Sequence, residues 1–244
     1  MVLLGAQGNI QKINVKGTTP PPGSFQGGTT AIGSGFIVAA CSNVTADKIA
    51  LSSNASLGLL VDNSSASIGS PSSSGSERGI IIQGNEGYGA WIQNIDDTKG
   101  QQATLSNAKI SNNTGVGLGL GGTARGIIIQ GLEITNTKPT VVAGSDSTED
   151  LGDGICWRDG AEAKLDNISL SGNSRTNIFI DNATGGGSSV AGIIIQGKGS
   201  EGSIIIQGTN GPTDMPAGMS ELSPTLVPSG TLLTATNPSS PTVN

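Results

Sequence analysis

Four carboxylates fall within eight residues of the chain, at Asp146, Glu149, Asp150 and Asp153. Oxygen donors on a loop are what calcium prefers, but this spacing matches no EF-hand. A solvated acidic loop has the same composition, so no metal is expected there. Shortly after, Arg158, Asp159 and Lys164 bring two cationic groups and an acid close together in sequence. Glycoside hydrolysis needs two carboxylates at a defined separation. No spacing here fixes such a pair, because each acid sits in turn-rich sequence that favours Asp anyway. Trp91 and Trp157 follow Gly89 and Gly154. Exposed indoles stack on sugar rings, while buried ones are ordinary packing at a coil edge. Histidine is absent, which removes Ser-His-Asp and Cys-His arrangements and most zinc sites. No catalytic, cofactor-binding or metal-binding residue is therefore assigned, no cofactor is expected, and the expectation leans away from an enzyme.

Something must position these groups, and composition limits what it is. The 244 residues fit one domain or two small ones. Charged residues make up 12%, against about 25% in ordinary domains, so this is not a helical protein laced with salt bridges. The 39 glycines and 11 prolines show no three-residue period, which excludes collagen. The core must come from small residues with Ile, Val and Leu. A net charge of −6 without a basic cluster gives nucleic acid no electrostatic footprint. No apolar run approaches the length of a membrane span. Met1-Val-Leu-Leu-Gly5 is too short for the apolar region of a signal peptide, so secretion would use another route or a leader ahead of this sequence.

Repetition is the strongest signal. Gly-Ile-Ile-Ile-Gln-Gly occurs at 79–84, 126–131 and 192–197, with a near copy at 203–208. Beneath it lies a quieter repeat. Asn54, Asn113 and Asn173 stand 59 and 60 residues apart, and five residues after each comes an apolar pair: Leu59 and Val61, Leu118 and Leu120, Ile178 and Ile180. These six should be buried in aligned interior stacks. From Gly89 to Asn113 the central copy is five residues longer than its counterparts, and Asp96–Gly100 is the natural place for the insertion. The units read as short period-two strands ended by Gly, Asn, Ser or Asp, and no segment has helical periodicity. Such a pattern predicts an all-β solenoid. Asparagines at equivalent turns would hydrogen-bond to one another in ladders.

The order Gly154-Ile155, Gly160-Ala-Glu-Ala-Lys-Leu165, Asn167-Ile-Ser-Leu-Ser-Gly-Asn173, Asn177-Ile-Phe-Ile-Asp181 resembles the right-handed parallel β-helix repeats of the pectate-lyase-like superfamily. The likeness covers about residues 30–210. It implies a single-stranded right-handed parallel β-helix, a hand that agrees with the right-handed crossover rule. It says less about function, because the superfamily includes lyases, hydrolases, adhesins and structural proteins. Pectate lyases hold calcium on carboxylates and use Arg or Lys as base, so the resemblance makes Arg158, Asp159 and Asp153 the neighbourhood for a polysaccharide-binding or polysaccharide-cleaving alternative.

On this reading residues 1–30 form an irregular first coil and 31–210 the β-helix. Residues 211–244, with six prolines, form an extended Pro/Ser/Thr-rich tail or linker that cannot stack as coils. No capping helix is evident at either end. Cys41 and Cys156 occupy different places in the repeat, on the order of five coils or ~24 Å apart. They are expected to be unpaired small core residues. The middle isoleucines Ile81, Ile128, Ile194 and Ile205 should point outward and form an apolar stripe. The leading expectation is a non-enzymatic structural or assembly module, extracellular or at the cell surface, self-associating as a homo-oligomer or filament. Polysaccharide is the other partner considered.

Overall fold

The computed structural model describes residues 1–19, 33–70, 79–140, 151–181, 188–196, 204–207, 215–222 and 224–227. Short runs of Ile, Val and Leu at period two become strands. Single Gly or Asn residues between them let the chain turn without a long loop. Nine strands form one parallel sheet in the order β1-β3-β5-β8-β11-β14-β17-β20-β21. These are Val2–Leu4, Phe36–Ala39, Leu59–Asp62, Ala90–Gln93, Val116–Gly121, Asp153–Trp157, Ile178–Asp181, Ile204–Gln207 and Thr225–Val227. The other twelve belong to a second, also parallel, sheet.

That second sheet covers two sides of the molecule. β4 (Asn43–Ser52) pairs with β6 (Ser65–Ile68) through its first half and with β7 (Ile80–Gln83) through its second. β2 (Gln7–Lys16) pairs with β4 along both halves. The second side continues through β9 (Ala103–Ser106), β12 (Ile127–Gln130), β15 (Ala163–Asp166) and β18 (Ser189–Ala191). The third side continues through β10 (Ala108–Ser111), β13 (Glu133–Thr135), β16 (Ser169–Ser171) and β19 (Ile194–Gln196). The chain thus returns to the first side after each circuit, which is consistent with a β-solenoid. Left-handed residues make the corners: Asn63, Asn94, Gly122 and Asp159 after the first side, Lys48, Asn107, Gly131 and Asn167 after the second, and Ser53, Gly84, Asn112 and Asn136 after the third. Asn and Gly tolerate this conformation best.

Inside, like stacks on like. Phe36, Leu59, Ala90, Leu118, Ile155, Ile178 and Ile204 form one row. Val38, Val61, Ile92, Leu120, Trp157, Ile180 and Ile206 form the next. All are buried in one core cluster, including the six residues expected to be interior. Beside them runs a polar spine. Asn54 Nδ2 donates to Asn85 Oδ1 at 2.9 Å, and Asn85 Nδ2 to Asn113 Oδ1 at 2.8 Å. The Thr137 N–H donates to Asn173 Oδ1 at 3.1 Å. The spine therefore steps once per coil, at intervals of 31, 28, 24 and 36 residues. The apparent period near 60 residues is two coils of unequal length. Gly35, Gly58, Gly89, Gly117 and Gly154 lie against this spine, and a Cβ at any of them would come within 3.1 Å of an Asn or Thr side-chain atom.

Several expectations change. Within the expected irregular first coil, Val2–Leu4 and Gln7–Lys16 are regular strands. In the stretch after Gly211, Thr225–Val227 extends the first sheet and Ala217 bridges Ser189. Pro216 and Pro224 flank the paired residues instead of occupying them, so these donors survive. A 3₁₀ helix, Met219–Leu222, places Met219 fully buried at the C-terminal end of the core. That end is capped. The four triple-Ile segments lie on three different sides, as β7, β12, β19 and β20. Their starts are 47, 66 and 11 residues apart, none of which is an interval of the spine. Ile81 and Ile194 are exposed on the third side, Ile128 is half-buried on the second, and Ile205 is buried on the first. There is no common stripe.

Candidate functional site

The outward row of the first sheet reads Val2, Ile37, Leu60, Trp91, Gly119, Cys156, Phe179, Ile205, Thr225. From Ile37 to Ile205 it is buried and forms a second apolar cluster with Leu57, Tyr88, Val116 and Leu151. Trp91 lies flat over Gly119, where an added Cβ would fall 2.0 Å from its ring. Tyr88 packs on Trp91 with ring centroids 5.1 Å apart. Of the residues singled out in the sequence, Trp91 and Cys156 fall in this layer, with Asp153 beside it.

Asp153 opens β14 with no exposed surface, and Arg175 grips both of its carboxylate oxygens, with Nε to Oδ1 at 2.7 Å. The guanidinium also lies 4.8 Å from the centre of the Phe179 ring. Burial pushes the Asp153 carboxyl above the usual carboxylate range, while Arg175 pulls the other way. Arg158 Nε donates to Asp159 Oδ2 at 2.8 Å. Asp62 accepts from Asn94 Nδ2 at 2.7 Å and Gln93 Nε2 at 3.2 Å. Each of these carboxylates is thus held by a neighbour rather than presented to a substrate. Lys164 is exposed on the second side, away from Asp153 on the first sheet. Asp146, Glu149 and Asp150 lie outside the described residues. Among the described residues no group of three or more His, Cys, Asp or Glu could hold a metal ion.

Neither tryptophan is available to a sugar. Trp157 points into the core and donates from Nε1 to the Ala161 carbonyl at 2.6 Å. Trp91 is buried in the outer layer, and its Nε1 has no hydrogen-bond partner among the described residues. The cysteines are free, as expected, but they are not both core residues. Cys156 is buried in the outer layer, and burial pushes its thiol up. Cys41 is exposed at a left-handed corner, with φ 60°. It follows β3 in the second coil and Cys156 lies in the sixth, so the separation is four coils rather than five.

The ends of the sheets are the remaining candidate. Among the described residues β1 pairs only with β3, and β2 only with β4. Their other edges present a row of backbone groups with exposed Val2 and Leu4 and partly buried Leu3, Ile10, Ile13 and Val15. At the opposite end of the same sheet β21 leaves Leu226 exposed. Sequence reasoning anticipated open edges in general but not these strands. Alternation in Gln7–Lys16 was the signal that could have located the first.

No family model, no curated protein and no solved structure matches this chain.

Proposed function

We propose that this chain is a structural and assembly module without enzymatic activity, displayed outside the cell or on its surface, which acts by self-association. The finer architecture we adopt is a right-handed parallel β-helix of the pectate-lyase-like kind, its hand following the crossover rule. One observation carries the functional reading: among the described residues the outer edge of β1 and β2 pairs with no strand. A long strand edge with apolar neighbours is a template for another chain, and repeat proteins ordinarily close such ends. The polysaccharide alternative draws no such support, since both tryptophans are buried and Arg158 and Asp153 are engaged within the chain.

Light scattering on the 244-residue chain at tens of micromolar tests the reading, with species larger than one copy as the expected result. A monodisperse monomer would defeat it. Incubation with pectin, alginate and other uronic-acid polymers, with and without calcium, should leave the polymers uncleaved.

A further inference from the structure

We infer that copies of this chain join head to tail, the β21 edge of one pairing in parallel with the β1 edge of the next. This rests on the assembly reading above and specifies its contact. Of the six exposed large hydrophobic residues among those described, Met1, Val2, Leu4 and Leu226 lie at the two opposite ends of the first sheet, and Ile194 lies on β19, the last third-side strand described. Exposed apolar surface is thus concentrated at the ends. Every pairing in that sheet is parallel, so adding β1 of a second copy beyond β21 repeats the existing register. The core row Ile206–Leu226 would continue into Leu3 and Val38, and the outward row Ile205–Thr225 into Val2 and Ile37.

Charge selects the same partner. Residues 1–19 carry Lys12 and Lys16 and no acid, whereas the exposed charge described on the 3₁₀ helix Met219–Leu222 is Glu221. Two first coils facing each other would oppose four lysines and would need antiparallel pairing. Opposite ends bring unlike charge together. Glu221 is exposed on the 3₁₀ helix, which in chain order replaces the third-side strand of its coil. Lys12 and Lys16 stand at the corner and end of that same side in the first coil. A head-to-tail contact that continues the parallel stacking of the sheet advances every copy in the same direction, so copies add in a row.

The free donors of β1 can be named. The Ile37 N–H donates to the Met1 carbonyl, and the Gly5 N–H donates to the Ala39 carbonyl. In a parallel strand alternate residues turn both backbone groups to the same side, so those of Val2 and Leu4 face the open edge. Leu4→Pro therefore removes an edge donor without costing an intrachain ladder bond. Leu226→Lys places an ammonium in the core row at the other end.

Each variant keeps one competent end. Alone, each should be monomeric in sedimentation at concentrations where the unsubstituted chain associates, with an association constant lower by about tenfold or more. Mixed in equal amounts they should form a dimer and nothing larger. Persistent association of Leu226→Lys alone would overturn the polarity. A mixture that stays monomeric while the unsubstituted chain associates would overturn this contact and leave the assembly reading standing. A monomeric unsubstituted chain would defeat both. Far-UV circular dichroism checks folding. Should Leu4→Pro not fold, the Lys12→Glu and Lys16→Glu double variant takes its place, and Glu221→Lys added to it should restore association.

Discussion

The outer surfaces of the two sheets obey different rules although their strands are built alike. On the second and third sides the pattern alternates. In β7, Ile80 and Ile82 are buried while Ile81 and Gln83 are exposed, and outward neighbours such as Lys109 and Glu133 pair in a salt bridge at 2.9 Å. On the first sheet alternation vanishes: β3, β8, β14 and β17 are buried at every residue. Parallel strands buried on both faces read as continuous apolar runs, and Phe36-Ile-Val-Ala39 and Ile178-Phe-Ile-Asp181 do so. The difference teaches that a solenoid side need not face water merely because it faces outward. The first sheet is buried on both faces, with an apolar cluster on each.

Substitutions can break that comparison. If the outer layer is a true second core, Arg175→Ala should be among the most damaging changes, costing about 3–5 kcal/mol because it leaves Asp153 buried without its partner. Replacing the pair together, Asp153→Asn with Arg175→Met, should cost less than Arg175→Ala alone in chemical denaturation. Trp91→Ala should also cost about 3–5 kcal/mol, comparable with about 2–5 kcal/mol for Ile178→Ala in the inner row. A loss at Trp91 no greater than that of a surface residue would show the outer layer to be loosely held. On the second sheet the counterpart is Ile81→Thr, expected within about 0.5 kcal/mol of the parent.

The cysteines sharpen the same contrast chemically. Cys41 should react with a thiol reagent in the native protein, whereas Cys156, buried and with its thiol pushed up, should react only when the chain unfolds. Equal native reactivity at both would contradict a dry outer layer. Adding reductant should leave the melting temperature unchanged, because both are free.

Strand existence and inward stacking were legible because period-two alternation reports burial directly: Leu118 and Leu120, spaced by glycines, could only face one way. The coil length was not. Gly84-Asn85 matches Gly172-Asn173, but it ends a triple-Ile segment that drew the eye to a different repeat. At Thr137 the spine has no amide side chain at all. Unequal insertions at the corners then made two coils look like one period. The Asp153–Arg175 pair was hidden for another reason. Its members are 22 residues apart in sequence, and only the coil length brings them together. The packing at the C-terminal end was hidden because six prolines outweigh Met219 and Leu222, which pack onto the core between them.

Two aspartates give the comparison its finest test. Asp153 is raised by burial, whereas Asp96 sits on the exposed insertion between β8 and β9 and is held down to about 2. The causes are local: Thr98 Oγ1 donates to Asp96 Oδ1 at 2.5 Å, and Lys99 Nζ stands 2.9 Å from Oδ2. A depressed carboxyl contributes stability that is present above its unfolded value and lost as pH falls through its folded one. Asp96 should therefore make its small contribution above about pH 4 and lose it toward pH 2. Exposure and salt screening keep the effect minor in any melting curve, so the measurement is a carboxyl-carbon titration by NMR. Thr98→Val should raise the midpoint, since the hydroxyl is the largest cause of the shift, and Lys99→Ala should raise it less. High salt should weaken the lysine effect while leaving that of the hydroxyl. A parent midpoint near 4 would mean that the 3₁₀ turn Asp97–Lys99 does not form its cap. The five-residue insertion would then be an open loop rather than an ordered corner.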